Sequence, residues 1–138
     1  MNLDDDFAAA EVVEDASRWK LKRAGPLEVW ATFVPTGTPS ETFQARLAWA
    51  KYPDQPPSLK FRDPESGRLD LATAWPKLPG FRPTSLDACV SWTLEGIGLH
   101  PEWANDPRVR WDPAGNVLLK VLRTLAGLFE TSFQGRHP

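Results

Sequence analysis

Cysteine is almost missing from this chain of 138 residues, where Cys89 stands alone. A single cysteine excludes an internal disulfide framework and any all-cysteine metal site. Histidine is scarce too, with only His100 and His137, which argues against a histidine-rich metal cage. No apolar run approaches the roughly 20 residues that a membrane span needs. Asp4, Asp5 and Asp6 stand near the N-terminus, where a signal peptide would carry lysine or arginine. These features predict a soluble, cytoplasmic protein, in which a lone thiol stays reduced and usable as a nucleophile. An excess of either charge is also lacking: sixteen basic against eighteen acidic side chains leave a net charge of −2. That balance argues against an unfolded polyanion and a broad nucleic-acid footprint, so neither nucleic acid nor membrane is expected as a partner. Glycine numbers only nine and no repeat is visible, which excludes collagen-like and low-complexity explanations.

What the chain does have is proline and tryptophan. Fourteen prolines are about twice the average usage of roughly 5%, and seven tryptophans is high for this length. The prolines sit in separate turns within an apolar-patterned sequence, so they read as rigid loops of a folded domain. A chain of this size buries roughly two thirds of its unfolded surface in one core, which predicts a single domain over residues 1–138.

Along the chain, Asp4 to Asp6 followed by Arg18, Lys20, Lys22 and Arg23 match the two ends of a helix dipole. Phe7, Val12, Ala16 and Trp19 recur between them at near-helical spacing, and Ala24-Gly25-Pro26 stops the helix. Leu27 to Val34, Glu41 to Ala50 and Ser58 to Arg62 alternate as strands, the first two joined by the turn Pro35-Thr36-Gly37-Thr38-Pro39. Tyr52-Pro53 and Pro56-Pro57 force a stiff, extended connection before the third strand. From Asp63 to Thr84 prolines and glycines make a long irregular segment, of the kind that is functional or mobile. Leu86 to Leu94 is a short apolar piece around Cys89, and a second irregular stretch runs from His100 to Arg110. Trp111-Asp112-Pro113-Ala114 opens a helix capped by Asp112 or Asn116. Val117, Leu118, Val121, Leu122, Leu125, Leu128 and Phe129 cover most of its faces, which predicts a buried helix. The tail, residues 130–138, reads as frayed. The predicted class is α+β: a helix, a strand meander, an irregular segment with the cysteine, and a buried helix.

That order, with particular words in the sequence, resembles the ubiquitin-conjugating enzyme family. Trp30 to Pro39, WATFVPTGTP, is similar to the family's first strand and its Gly/Pro turn. Residues 41–61, ETFQARLAWAKYPDQPPSLKF, match the second strand, the YP-x-x-PP word and the third strand. Cys89, in DACVSW, lies between meander and buried helix, where the family carries its thioester cysteine. Residues 111–129, WDPAGNVLLKVLRTLAGLF, resemble the W-x-PA opening and the apolar helix beneath the sheet. The resemblance covers residues 5–129. Four features depart from it. The His-Pro-Asn triplet before the cysteine is replaced by Pro79-Gly80-Phe81, so the asparagine that helps stabilise the oxyanion has no counterpart. The segments from Phe61 to Cys89 and from Cys89 to Trp111 are long, and the family's last two helices are missing. These departures resemble the short bacterial members found beside an activating enzyme, a ubiquitin-like modifier and a metalloprotease, and they imply a ubiquitination-like pathway, antiviral defence being one setting.

The resemblance implies two acyl transfers. The Cys89 thiolate takes the C-terminal carbonyl of a ubiquitin-like modifier from an activating enzyme, then yields it to an amine of a protein or small acceptor. It implies no cofactor on this chain, ATP being used by the activating enzyme. His100 is a candidate to donate to the oxyanion or accept the amine's proton, against a simple exposed loop residue. Asp87 is a candidate to orient the acceptor lysine, against a solvated turn carboxylate. Asn105 and Asn116 are possible replacement amides, Asn116 being more simply a helix cap. Arg18, Lys20, Lys22 and Arg23 fall on the helix that in the family meets the activating enzyme, or at its end, which implies a basic docking surface. Tyr52 is expected to pack under the active-site segment and Trp111 in the core, while Trp75, Trp92 and Trp103 either bury the added loops or form a partner surface. A non-catalytic binding module on the same fold is the rival expectation.

Overall fold

Alternating burial of successive side chains accounts for the sheet in the computed structural model, which describes residues 2–138. Strands β2 (Glu28–Phe33), β3 (Phe43–Ala48) and β4 (Ser58–Arg62) bury every second side chain, as the two-residue period of a strand requires. With β1 (Lys20–Gly25) they form an antiparallel sheet in the order β1-β2-β3-β4. Val29 faces Leu47, Ala31 faces Ala45 and Phe33 faces Phe43, while Leu59 and Phe61 of β4 extend the same buried face. On the opposite face Arg62 lies 4.6 Å from the Trp30 ring centroid, and Arg46 pairs with Glu28 at 2.9 Å.

Helix α3 (Val117–Thr131) covers the apolar face of the sheet. Its Phe129 ring stacks on Phe33 and lies against Phe43, with centroids 5.3 Å away in each case. Asn116 is the cap: its side-chain oxygen accepts from the Leu119 N–H at 2.9 Å. The amide of the same side chain donates to the Asp6 carbonyl at 3.0 Å, so one residue starts α3 and fastens it to α1 (Leu3–Ala10). No helix among the described residues is long and apolar enough to cross a membrane.

Three regions differ from the sequence expectation. The first helix stops at Ala10, and Val12 is 81% exposed rather than part of an apolar stripe. Trp19 is buried, and its indole N–H donates to the Ala10 carbonyl at 3.1 Å, across a turn and not along a helix. Lys20, Lys22 and Arg23 then run as β1, since the open edge of β2 offers backbone partners that outweigh local helix preference. Second, the stretch around the cysteine contains a helix, α2 (Leu94–Leu99), whose two glycines hide it from propensity. Third, the tail is pinned. The Lys77 N–H donates to the Gly135 carbonyl at 2.8 Å and the His137 N–H to the Trp75 carbonyl at 2.9 Å. Arg136 reaches Glu41 at 3.0 Å, and its guanidinium lies 4.1 Å from the Phe43 ring centroid.

Tyr52 faces α1 instead of the cysteine. Its hydroxyl donates to the buried Asp6 carboxylate and its ring meets Trp49 edge-on at 5.0 Å. Burial, reinforced by the Asp6 carboxylate, holds the Tyr52 phenol well above its ordinary range.

A surface ion cluster joins the turn before β1 to α3. Asp15 accepts from Arg123 at 2.9 Å and from Arg18 at 2.8 Å, while Arg18 also grips Glu130 at 2.8 Å. The Arg123 and Arg18 guanidinium groups hold the Asp15 carboxyl well below its usual 3.8. A depressed folded value means that the pairing stabilises the fold above that usual pKa and that the contribution is lost as the pH falls below it. Asp15→Asn is therefore expected to melt lower than the parent at about pH 7, with the gap closing as the pH drops from about 4 towards 2. A gap that stays constant across that range contradicts the assignment.

Candidate active site

Cys89 follows directly on a small hairpin. Strands β5 (Phe81–Arg82) and β6 (Asp87–Ala88) pair Phe81 with Ala88 and Arg82 with Asp87. The Cys89 N–H extends that ladder to the Gly80 carbonyl at 2.8 Å. Gly80 has a φ of +80°, and a Cβ there would sit 2.8 Å from Val90 Cγ1 and 3.2 Å from the Cys89 oxygen. Position 80 thus needs glycine for both backbone and space. Leu86, three residues before the cysteine, is the one non-glycine residue with positive φ among those described, at 57°. A left-handed leucine costs roughly 1–2 kcal/mol. It is held by its N–H donating to the Pro83 carbonyl at 3.0 Å and by Lys60 Nζ donating to its carbonyl at 2.6 Å.

Beyond the cysteine, Thr93 closes the turn from the other side. Its hydroxyl is fully buried, donates to the Ala88 carbonyl at 2.7 Å and accepts from the Gly96 N–H at 3.0 Å, so one oxygen caps α2 and ties it to β6. Gly96 brings α2 against the Val90 backbone; a Cβ at that position would lie 1.8 Å from the Val90 oxygen. Glu95 in turn takes the Leu59 N–H at 3.1 Å and the Ser58 hydroxyl, which joins α2 to the otherwise open edge of β4. The turn that carries the sulfur is therefore fixed by the hairpin, by α2 and, through α2, by the sheet. Cys89 is free of any disulfide and half-buried, on a turn held by these contacts.

The charged groups beside it are already paired. Arg82 Nε and Nη2 donate to the two Asp87 carboxylate oxygens at 2.8 and 2.7 Å. The Asp87 side chain is only 13% exposed. The Asp87 carboxylate holds the Arg82 guanidinium above its ordinary value. Asp87 is thus engaged by a guanidinium and not left as an open turn carboxylate.

Among the described residues the side-chain partners of His100 are Trp103 and Glu102 and do not include Cys89. His100 caps the C-terminal end of α2, and a helix of six residues is about 9 Å long. Its ring stacks on Trp103 with centroids 4.3 Å apart, and its Nδ1 lies 3.0 Å from Glu102 Oε1. Glu102 is held below the usual carboxylate range first by its own backbone N–H and then by His100. Asn105 is exposed, and Asn116 is committed to the α3 cap. Among the described residues no group of three or more histidine, cysteine, aspartate or glutamate side chains is placed to hold a metal ion. Comparison with protein-family models, with curated proteins and with solved structures finds no match.

The basic residues do not share one helical surface. Arg18 is occupied by Asp15 and Glu130; Arg23 is occupied by Asp4 at 2.8 Å and by the Gly25 and Pro26 carbonyls. Lys22 lies 5.4 Å from the Trp30 ring centroid on the outer face of the sheet, and its alternation neighbour Lys20 lies on that face too. Trp75 is core, fully buried between Phe61 and Phe81. Trp92 is half-buried with its ring 6.3 Å from Phe81, and Trp111 fixes the stiff proline loop by donating to the Pro53 carbonyl at 2.9 Å.

Two residues that shape the site, Arg82 and Thr93, do not stand out in the sequence. Arg82 and Asp87 flank Pro-Thr-Ser-Leu, and opposite charges either side of a turn are a usable hairpin signal. Thr93, with Gly96 three residues later, lacks the acidic third position of a capping box and carries no comparable signal.

Proposed function

We propose that this chain is a ubiquitin-conjugating-type carrier, with a UBC-like arrangement of its α+β elements and Cys89 as the acyl-bearing residue. The observation that carries the reading is the free, half-buried Cys89 thiol on a turn fixed from both sides, lying in the chain between the four-stranded meander and α3. The sequence resemblance, with YP-x-x-PP before β4 and W-x-PA before α3, supplies the reaction class.

In this reaction the Cys89 thiolate attacks the carbonyl of a modifier thioester borne by an activating enzyme. The electron pair of the C=O bond moves to oxygen, then returns as the C–S bond to the donor thiol breaks. An amine later attacks the Cys89 thioester, the new C–N bond forms, Cys89 leaves as thiolate and the amine's proton passes to solvent. A fixed backbone favours both steps, because the sulfur is held in position before the partner arrives. His100 is given no step here, since its ring is committed to Trp103 and Glu102.

Incubation with a cognate activating enzyme, its modifier and ATP is expected to give a thiol-sensitive adduct on a non-reducing gel. Cys89→Ala should remove the adduct completely and leave the melting temperature within a few degrees of the parent. With a demonstrably charged activating enzyme, an absent adduct favours a non-catalytic binding module instead, which the replacement of His-Pro-Asn by Pro79-Gly80-Phe81 would suit.

A further inference from the structure

We propose that Arg82 is the oxyanion donor of the Cys89 site and that Asp87 is its positioning residue; this rests on Cys89 carrying an acyl group. Collapse of a thioester onto an amine passes through a tetrahedral intermediate whose oxygen bears a full negative charge. A donor aimed at that oxygen in a partly desolvated site is commonly the largest single contribution to such a step. The stretch Pro79-Gly80-Phe81 before the cysteine offers no side-chain amide for the task, and the Gly80 carbonyl is itself an acceptor, taken by the Cys89 N–H.

The register of the hairpin places Arg82 close to the cysteine. Its cross-strand partner is Asp87, and Cys89 follows directly on the end of β6, with its N–H continuing the pairing to the Gly80 carbonyl. In an antiparallel pair the residue opposite and the residue two positions on share one face, with diagonal neighbours about 7–8 Å apart and their Cβ atoms somewhat closer, within reach of a long side chain. Arg82 and Cys89 are such a diagonal pair. The pairing with Asp87 uses only Nε and one Nη2 N–H. A guanidinium has five N–H donors, so three remain, including both on Nη1. Among the described residues those three have no protein partner. The guanidinium is moreover exposed enough for an incoming acyl group to meet it, its side chain being 44% accessible against 13% for Asp87.

The division of labour follows. Asp87 grips the fork from one side and fixes the plane of the guanidinium, as bidentate pairing does. Arg82 turns its free edge towards the position the carbonyl oxygen takes when the carbon is bonded to Cys89 Sγ. As the amine nitrogen adds, the C=O pair moves onto oxygen and is met by Nη1–H; as the C–S bond breaks, the pair returns and the interaction weakens. Arg82 stays protonated throughout. Because the charge exists only in the intermediate, the residue accelerates transfer without needing to hold the resting thioester more tightly.

A chemically loaded chain tests this without any partner protein. A short peptide ending in Gly-Gly, supplied as its 2-mercaptoethanesulfonate thioester, acylates Cys89 by thiol exchange, and intact mass follows the adduct. The adduct is then chased with free lysine, and the same peptide thioester in solution gives the reference rate. The expected result is that the parent adduct reacts faster than the reference and that Arg82→Gln slows it by about 100-fold. Arg82→Lys should restore part of the rate, since it keeps the charge but loses the fork, and Asp87→Asn should fall between parent and Arg82→Gln. Added guanidinium ion should rescue Arg82→Ala, a response that a merely structural role would not give. Parent and Arg82→Gln adducts discharging equally fast would overturn the role of Arg82 while leaving the carrier reading intact. A parent adduct no more reactive than the free thioester, or a Cys89 that does not acylate, would overturn both.

Discussion

Gly96→Ala is expected to push α2 off the cysteine turn and to destabilise the protein by about 3 kcal/mol, at the upper end of what overpacking costs. The new Cβ would lie 1.8 Å from the Val90 oxygen and 2.7 Å from the Val90 carbonyl carbon and nitrogen. All three atoms are backbone, so no rotamer change relieves the clash and the helix itself must move. Three attachments move with it: the Thr93 cap, the Leu94 N–H bond to the Pro57 carbonyl, and the Glu95 link to β4. Loss of stability should be accompanied by faster maleimide labelling of Cys89, because the turn that half-buries the thiol is released. Gly98→Ala is the control, as a Cβ there meets nothing within 4 Å. It should be neutral or slightly stabilising, since alanine suits a helix better than glycine. Equal melting and labelling for the two variants would contradict the close approach of α2 to the Val90 backbone.

The second large effect is at Trp75. This side chain is fully buried, packed edge-on against Phe61 at 5.0 Å and near Phe81 at 6.0 Å. Trp75→Ala should cost about 3–5 kcal/mol by denaturant unfolding, for lost burial and the cavity left behind. Phe81 begins the hairpin that presents Cys89, so the cavity lies directly under the site. Trp75→Phe should cost much less than the alanine variant. The Trp75 indole N–H is buried without a hydrogen-bond partner among the described residues, and phenylalanine removes that unsatisfied donor along with the extra ring. If Trp75→Phe were as damaging as Trp75→Ala, shape and not volume or polarity would dominate there.

The parts of the fold that are legible in the sequence are those where one pattern has one explanation. In Glu28–Phe33, Phe43–Ala48 and Ser58–Arg62 burial alternates with the two-residue period, Val29, Ala31 and Phe33 inward and their neighbours outward, with Trp30 and Ala48 the apolar residues that take outward places. The apolar run from Val117 to Phe129 likewise permits little except a buried helix. Residues 11–25 are ambiguous in principle. Their charges suit a helix dipole, but Trp19 finds a partner in the Ala10 carbonyl and the next residues complete a sheet edge, neither of which local spacing encodes. The tail departs from expectation for the same reason, since Arg136 is anchored by Glu41 and by the Thr42 and Thr73 carbonyls, far away in sequence.

At the site the sequence singles out Cys89 because it is the sole cysteine and lies at the resemblance's thioester position. It cannot rank His100 against Arg82. An imidazole near neutral pH is the more familiar acid–base group, and both residues lie within a short stretch of the cysteine. What the structure adds is that the His100 side chain meets Trp103 and Glu102 at the end of α2, while the β5–β6 ladder pairs Arg82 with Asp87, two residues before the cysteine. Both elements are short and held by tertiary contacts, the kind that propensity describes least well.

Whether Cys89 bears the acyl group is tested most directly by mapping the adduct. After charging by the activating enzyme and ATP, digestion with trypsin under mildly acidic, non-reducing conditions releases residues 78–108 as one peptide, because Arg82 is followed by proline. That peptide holds Cys89 and no lysine. The modifier's C-terminal fragment is expected on this peptide and is expected to be lost on treatment with thiol. A modifier fragment confined to lysine-containing peptides, or none on residues 78–108 with the activating enzyme fully charged, would contradict the carrier role of Cys89.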